Sequence, residues 1–206
     1  MENILIIKLG SLGDLIQANG AMEDIKKSNP KSNIVLLTSS SYFDLMNNCP
    51  YVDEVLIDKR LPRWNLFYLY KLKKKLLSYN FTYVFDLQNS SRTKFYSKYI
   101  INLANWSSTE RTLEPGQLKS DFDEEPVLKR MEIQLKKSGI KTMNVKKSNL
   151  NWAIVNIRNI TKNFFNRKYI IIFPFCSPKL IEKKWPHFRI LISQLRTMYH
   201  GKYDIV

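Results

Sequence analysis

The chain has 206 residues, 44% of them hydrophobic and 13% aromatic, enough apolar surface to bury a core in one or two domains. Thirty-three Lys and Arg against 18 Asp and Glu give a formal charge of +15, which favours phosphate-rich partners: nucleic acid, an anionic membrane surface or a phosphorylated substrate. Two distant cysteines, Cys49 and Cys176, and two histidines, His187 and His200, without partners at ligand spacing argue against a disulfide framework or a zinc site and for a reducing cytoplasm; no apolar run reaches the ~18 residues that span a bilayer.

Strand-like and helix-like segments alternate from the start. "NILIIKL" (3–9) predicts a buried strand, and "GDLIQANGAMEDIKKSN" (13–29) a helix with Leu15, Ile16, Met22 and Ile25 on its apolar side and Gly20 weakening it. "NIVLLTS" (33–39) predicts a strand, "SYFDLMNNC" (41–49) a short helix and "DEVLIDK" (53–59) a third strand. "NLFYLYKLKKKLLSY" (65–79) predicts a helix with Leu66, Leu69, Leu72 and Leu76 on one side, and "YVFDLQ" (83–88) a fourth strand. Continuous Ile/Leu/Val runs between helices indicate a parallel sheet covered on both faces, a doubly wound α/β, Rossmann-like domain.

Residues 90–105 predict another helix, 106–111 an edge strand, 113–126 a polar surface loop and 125–140 a helix stopped by Gly139; the Asn/Lys-rich stretch 141–168 has room for a bridging helix. A second unit begins with "KYIIIFPF" (168–175), a buried strand, followed by a loop (176–185), a helix opened by Pro186 at its first position, and the start of a further strand, "KYDIV" (202–206). The expected division is a first domain over 1–150, a linker over 151–167 and the beginning of a second domain over 168–206, truncated because one βα unit cannot close a sheet.

The first βα turn, "KLGSLGD", carries Gly10, Ser11, Gly13 and Asp14. Its G-x-x-G spacing is not the G-x-G-x-x-G of dinucleotide-binding folds, so a nicotinamide oxidoreductase is disfavoured. Taken alone, the turn reads as glycines set by tight geometry and an aspartate capping the helix.

Three stretches in order change that weighting: "ILIIKLGSLGDLIQANGA", "YVFDLQNSSR" (83–92) and "IIIFPFCSPKLIEKKWPHFRILISQL" (170–195). Together they resemble the motifs of the ADP-heptose:lipopolysaccharide heptosyltransferase family, glycosyltransferase family 9. The departures are Gln17 and Gly20 where that family commonly has His and Pro, Asn89 where glycine is usual, and a third loop poorer in Gly and Ser.

The resemblance implies a GT-B fold, with two Rossmann-like domains, the acceptor on the first and the nucleotide sugar mainly on the second. It implies inverting transfer of a heptose or related sugar from an ADP-sugar to lipid A–Kdo or a core oligosaccharide. No metal or other cofactor would be needed, the ADP-sugar being a substrate. The protein would be a cytoplasmic monomer, peripheral on the inner face of the inner membrane, with no nucleic acid as partner. On matching positions, Asp14 is the expected catalytic base and Lys183 the cation that meets the leaving diphosphate. Gly10, Ser11, Gly13, Gln88, Arg92, Ser177 and Lys184 are the expected substrate contacts, although Gln88 reads equally as structural and the two lysines as solvated surface groups. The basic run over 58–76 reads first as a solvated helix face and second as a contact for anionic headgroups or acceptor phosphates. Two alternatives stand beside transfer: an inactive fragment or module that binds the acceptor, and a nucleic-acid binder, which rests on charge alone.

Overall fold

A computed structural model describes residues 2–103, 105–165, 167–176 and 178–206. The chain divides into two compact units, one ending at Ile154 and the other spanning Val155–Val206.

The first unit is built on a five-stranded, all-parallel sheet in the order β3-β2-β1-β4-β5. Its elements in chain order are β1 (Asn3–Ile7), α1 (Leu12–Ser28), β2 (Asn33–Ser39), α2 (Phe43–Met46), β3 (Glu54–Asp58), α3 (Leu66–Leu77), β4 (Phe81–Asp86), α4 (Ser91–Tyr99), β5 (Trp106–Ser107), α5 (Thr109–Thr112), α6 (Lys119–Glu124) and α7 (Val127–Lys137). Side chains alternate across a strand, so each continuous apolar run feeds two cores. Ile4, Ile6, Ile34 and Leu36 point to one face and pack with Leu15, Ala18, Met22 and Ile25 of α1 and Met131 and Leu135 of α7. Leu5, Ile7, Val35 and Leu37 point to the other and pack with Leu69, Leu72 and Leu76 of α3 and Tyr96 of α4. That arrangement is the doubly wound α/β class expected from the unbroken runs. Each such fully buried side chain contributes roughly 1.5–3 kcal/mol.

Several local expectations are corrected. Leu66 is not on the buried side of α3: it is 74% exposed, because at 3.6 residues per turn it falls roughly 90° away from the face of Leu69, Leu72 and Leu76 that covers the sheet. Ile16 is only partly covered, and Ala18 and Ala21 fill the α1 interface instead. β4 starts at Phe81 and stops at Asp86, whose carboxylate accepts from the Gln88 (3.0 Å) and Asn89 (2.9 Å) N–H groups and turns the chain out of the ladder. The edge strand stops at Ser107, and 109–112 and 119–124 form short helices within the stretch expected to be strand and loop.

Gly20 is not merely a weak point of α1. A Cβ there would lie 2.1 Å from Asn144 O, so the glycine lets the 144–145 backbone lie against the helix. One turn on, the fully buried Asp24 carboxylate accepts from the backbone N–H groups of Met143 (2.9 Å), Asn144 (2.9 Å) and Val145 (3.1 Å). Asn19 completes the clamp by donating to Asn149 O (2.9 Å) and accepting from Trp152 Nε1 (3.2 Å).

The second unit holds β6 (Lys168–Ile170) and β7 (Tyr203–Ile205), which pair in parallel, and α9 (Phe188–Met198) between them. The strand expected over 168–175 is regular only to Ile170, because β7 offers three paired residues; the ladder adds Ile172 N–H to Val206 O (2.7 Å). α9 begins at Phe188 with His187 as its N-cap, so Pro186 precedes the helix rather than occupying its first position. Before the strand, residues 141–168 contain a 3₁₀ turn at Asn151–Ala153 and the single-turn α8 (Arg158–Thr161) among the described residues, rather than a bridging helix. No described residue of this unit is fully buried.

Candidate functional site

From β1 the chain runs outward through β2 and β3 and returns to the other flank of β1 as β4. The strand order therefore reverses between β1 and β4, and a crevice opens beyond their C-terminal ends, where open α/β sheets bind ligands. The loops that leave these two strands carry the first and second motifs.

Cross-bonds tie the two loops together. Lys8 Nζ donates to Leu87 O (2.9 Å), and the Leu9 N–H donates to Gln88 Oε1 (2.9 Å). Ser39 Oγ donates to Leu9 O from the β2 side. Gly10 sits at φ 120°, in the left-handed region, with a Cβ position only 2.5 Å from the Tyr42 ring, so glycine is required there. Gly13 differs from its sequence reading: it lies in the first turn of α1, and a Cβ there meets nothing within 4 Å. Ser11, not Asp14, is the N-cap of α1. Asp14 stands three residues on, and its Oδ2 accepts from the Ser11 N–H (2.7 Å) and Ser11 Oγ (3.1 Å). The carboxylate is half-buried, and its Oδ1 has no hydrogen-bond partner among the described residues.

Asp14 lines a cleft of about 210 Å³ with Lys8, Gln88, Asn89, Arg130 and Gln134. Lys8 is 5% exposed. Burial lowers its pKa from the usual lysine value, and the carboxylates of Asp14 and Asp86 work against that shift. Asp86, at the end of β4, is pushed up to about 6 by burial, against the pull of its bonds from Thr93 and from the Asn89 (2.9 Å) and Gln88 (3.0 Å) N–H groups. Asn89, at φ 49°, donates to Gln134 Oε1 (3.0 Å) and accepts from the Thr109 N–H (2.7 Å), which fixes α7 and the β5–α5 turn around the crevice. Arg130 donates to Asp123 (2.6 Å) at the rim.

Asn89 and Thr109 also line a neighbouring cleft of about 290 Å³ whose walls include Ser90, Ser91, Lys94 and Lys119. Glu110 is in the same wall and pairs with Lys94 (2.8 Å), and Lys119 pairs with Asp123 (2.6 Å), so the cleft presents hydroxyls beside ion pairs, donors and acceptors that match a polyhydroxylated ligand.

The structure brings Gly10, Ser11, Gly13, Asp14 and Gln88 together at this crevice. Arg92 has other partners: its guanidinium is mostly covered and pairs with the fully buried Asp58 (Nε to Oδ2, 3.2 Å), with Tyr96 Oη (2.5 Å) and with Leu61 O (2.9 Å). Lys183 and Lys184 lie in the second unit and are exposed, followed by Trp185 edge-on to Phe188 with ring centres 5.2 Å apart. Ser177 lies outside the described residues. Sequence reasoning passed over Lys8, Asp86, Arg130 and Gln134. A lysine and an aspartate ending two otherwise apolar strands were the available signal for the first two; nothing local marks Arg130 or Gln134, which arrive on α7 from more than forty positions away. Among the described residues no three His, Cys, Asp or Glu side chains gather as a metal site, and no helix is long and apolar enough to cross a membrane.

No protein-family model matches the chain. A Haemophilus influenzae protein described as "Putative glycosyltransferase" is 42% identical over 60 residues, 29% of this chain and 17% of that protein. Among solved structures, the family 9 glycosyl transferase of Veillonella parvula aligns with a TM-score of 0.70 at 17% identity, over 99% of this chain and 61% of that one. Escherichia coli ADP-heptose lps heptosyltransferase II aligns at 0.67 and 17% identity, over 100% and 63%. Escherichia coli heptosyltransferase WaaC with ADP aligns at 0.60 and 15% identity, over 99% and 74%. The chain thus spans less than two thirds of the first two structures. Three motifs in order and these alignments agree: the chain carries the α/β fold of the family 9 heptosyltransferases, over part of their length.

Proposed function

We propose that the chain belongs to an inverting glycosyltransferase that moves a heptose or related sugar from an ADP-sugar to a lipopolysaccharide core acceptor. The observation that carries this reading is the Asp14 carboxylate: half-buried at the sheet's switch point, anchored through one oxygen and free at the other. An alcohol is a weak nucleophile and needs its proton removed as it attacks, which a positioned carboxylate accelerates by roughly 10²–10⁴-fold.

In this reading the acceptor hydroxyl gives its proton to Asp14 Oδ1, its oxygen bonds to C1 of the sugar from the face opposite the diphosphate, and the C1–O bond breaks to release ADP. The carboxylate is held in the first turn of α1 by the Ser11 N–H and hydroxyl, which fixes the direction of the free oxygen. Lys8 is too buried to reach bulk water and acts as a fixed counter-charge under Asp14 and Asp86. The open space above Gly13 leaves room for the acceptor sugar, and the cleft lined by Ser90, Ser91, Ser108 and Thr109 suits its hydroxyls. Lys183 and Lys184 of the second unit, with Ser177, take the developing charge of the diphosphate, as the third motif implies. The enzyme would work without metal in the cytoplasm, as a monomer on the inner face of the inner membrane.

The test is transfer from ADP-heptose to a Kdo-bearing lipid A acceptor, read as ADP released by the chain and by Asp14→Asn. A second reading, binding of the acceptor without transfer, is favoured by the second unit, where no described side chain is fully buried. Saturable acceptor binding with no ADP release would select it.

A further inference from the structure

A run of cations in the first unit coincides with a run of uncovered apolar side chains. Residues 59–77 contain seven cations, Lys59, Arg60, Arg63, Lys71, Lys73, Lys74 and Lys75, and no acid. In the same segment Trp64 is 80% exposed, Leu66 74%, Phe67 69% and Tyr70 65%.

The geometry of α3 explains why both sets are on show. Leu69, Leu72 and Leu76 take the face that covers the sheet. At 3.6 residues per turn, Leu66, Tyr70 and Leu77 then fall along one outward line with Lys74 and Phe67 beside it, Lys71 and Lys75 further round on that flank and Lys73 on the other. Lys71 Nζ lies 4.2 Å from the centre of the Phe67 ring, and Lys73 Nζ donates to Tyr99 O (3.1 Å), which carries the patch on to the half-exposed Tyr99. Between the helix and the end of β3 a groove of about 320 Å³ is lined by Ile57, Leu61, Phe67 and Leu72 and by Lys59, Lys71 and Lys75. A helix packed on its core by one face and carrying a second apolar stripe edged with lysines has the make-up of an interfacial helix: apolar side chains enter the acyl boundary while ammonium groups stay at headgroup level.

We propose that the outward face of α3 and the preceding loop, Lys59 to Leu77, is a docking surface for a bilayer containing anionic lipid. Charge complementarity selects the anionic surface, and aliphatic Leu66 and Leu77 beside Trp64 and Phe67 select lipid over nucleic acid, whose bases stack on aromatic rings but have no use for exposed leucines. This deepens the peripheral location proposed above by naming the surface. Its test reads lipid binding and not sugar transfer, so that either can fail alone.

The experiment is flotation of the full chain with phosphatidylcholine vesicles, pure or containing phosphatidylglycerol. The expected result is binding only when phosphatidylglycerol is present. Lys71→Gln/Lys74→Gln/Lys75→Gln should weaken it on the order of 100-fold, from the attraction of each basic residue to an anionic surface. Trp64→Ser/Phe67→Ser, at exposed positions, should weaken it at least tenfold and leave the far-UV spectrum and melting temperature unchanged. Lys31→Gln/Lys129→Gln/Lys141→Gln, which removes equal charge elsewhere, should change it less than threefold. Binding lost equally to both lysine triples, binding indifferent to Trp64→Ser/Phe67→Ser, or displacement of the vesicles by single-stranded RNA would overturn the proposal.

Discussion

At the scale of single residues, Asp14 and Arg92 show how similar candidates part company once their partners are known. Asp14 spends one carboxylate oxygen on Ser11 and keeps the other available. Arg92 is drawn into a buried cluster in which Asp58 accepts from Tyr68, Tyr96 and the Arg60 N–H as well. Burial raises the Tyr68 and Tyr96 pKa values, with Asp58 adding to both, so both phenols stay protonated as donors. Arg92→Ala should therefore cost about 3–5 kcal/mol of stability by leaving the Asp58 charge buried and unpaired, measured by urea denaturation. An arginine whose main role is to hold acceptor would instead raise the acceptor KM and leave the denaturation midpoint in place.

At the scale of elements, α1 does two jobs at its two ends. Its N-terminus presents Asp14, and its middle holds the 143–152 segment through Gly20, Asp24 and Asn19. Gly20→Ala gains intrinsic helix propensity but drives a methyl group against Asn144 O. The clash should win, with a net loss of roughly 1–3 kcal/mol seen as a lower melting temperature. Asp24→Ala should cost a similar amount or more, because three backbone N–H groups lose their acceptor. The order of strands and helices and the two-faced sheet were legible from periodicity, since the apolar runs of β1 and β2 leave no other way to bury both sides. Element ends were less legible, because β4 ends where the Asp86 carboxylate takes the Gln88 and Asn89 N–H groups, a side-chain bond that apolar alternation does not reveal. The α1 clamp was illegible because its partners lie more than a hundred positions away, and Gly20 alone looks like a flaw.

For the whole molecule, the crevice makes stability depend on pH. Asp86 titrates at about 6 in the folded chain, above the ordinary aspartate value of ~3.9. Between those values the folded state holds a proton that the unfolded state has released, so stability falls as pH rises from about 4 to 6 and levels off above. The shift corresponds to roughly 3 kcal/mol, and Asp86→Asn, which still offers an oxygen to the Gln88 and Asn89 N–H groups, should flatten that part of the profile in denaturation series across pH 4–7. The site was legible in proportion to how local it is. The first βα turn and the DLQ motif reach the crevice from the strands that frame it, whereas Arg130 and Gln134 come from α7 and depend on the fold being formed.

The most direct measurement is the rate of ADP release from ADP-heptose in the presence of a Kdo-bearing acceptor, by this chain and by Asp14→Asn. Asparagine keeps an oxygen for the Ser11 N–H, so α1 and the melting temperature should survive while the rate falls by about 10²–10⁴-fold. Equal rates from the two proteins, or an acceptor that binds while neither protein releases ADP, would contradict a proton-accepting role for this carboxylate.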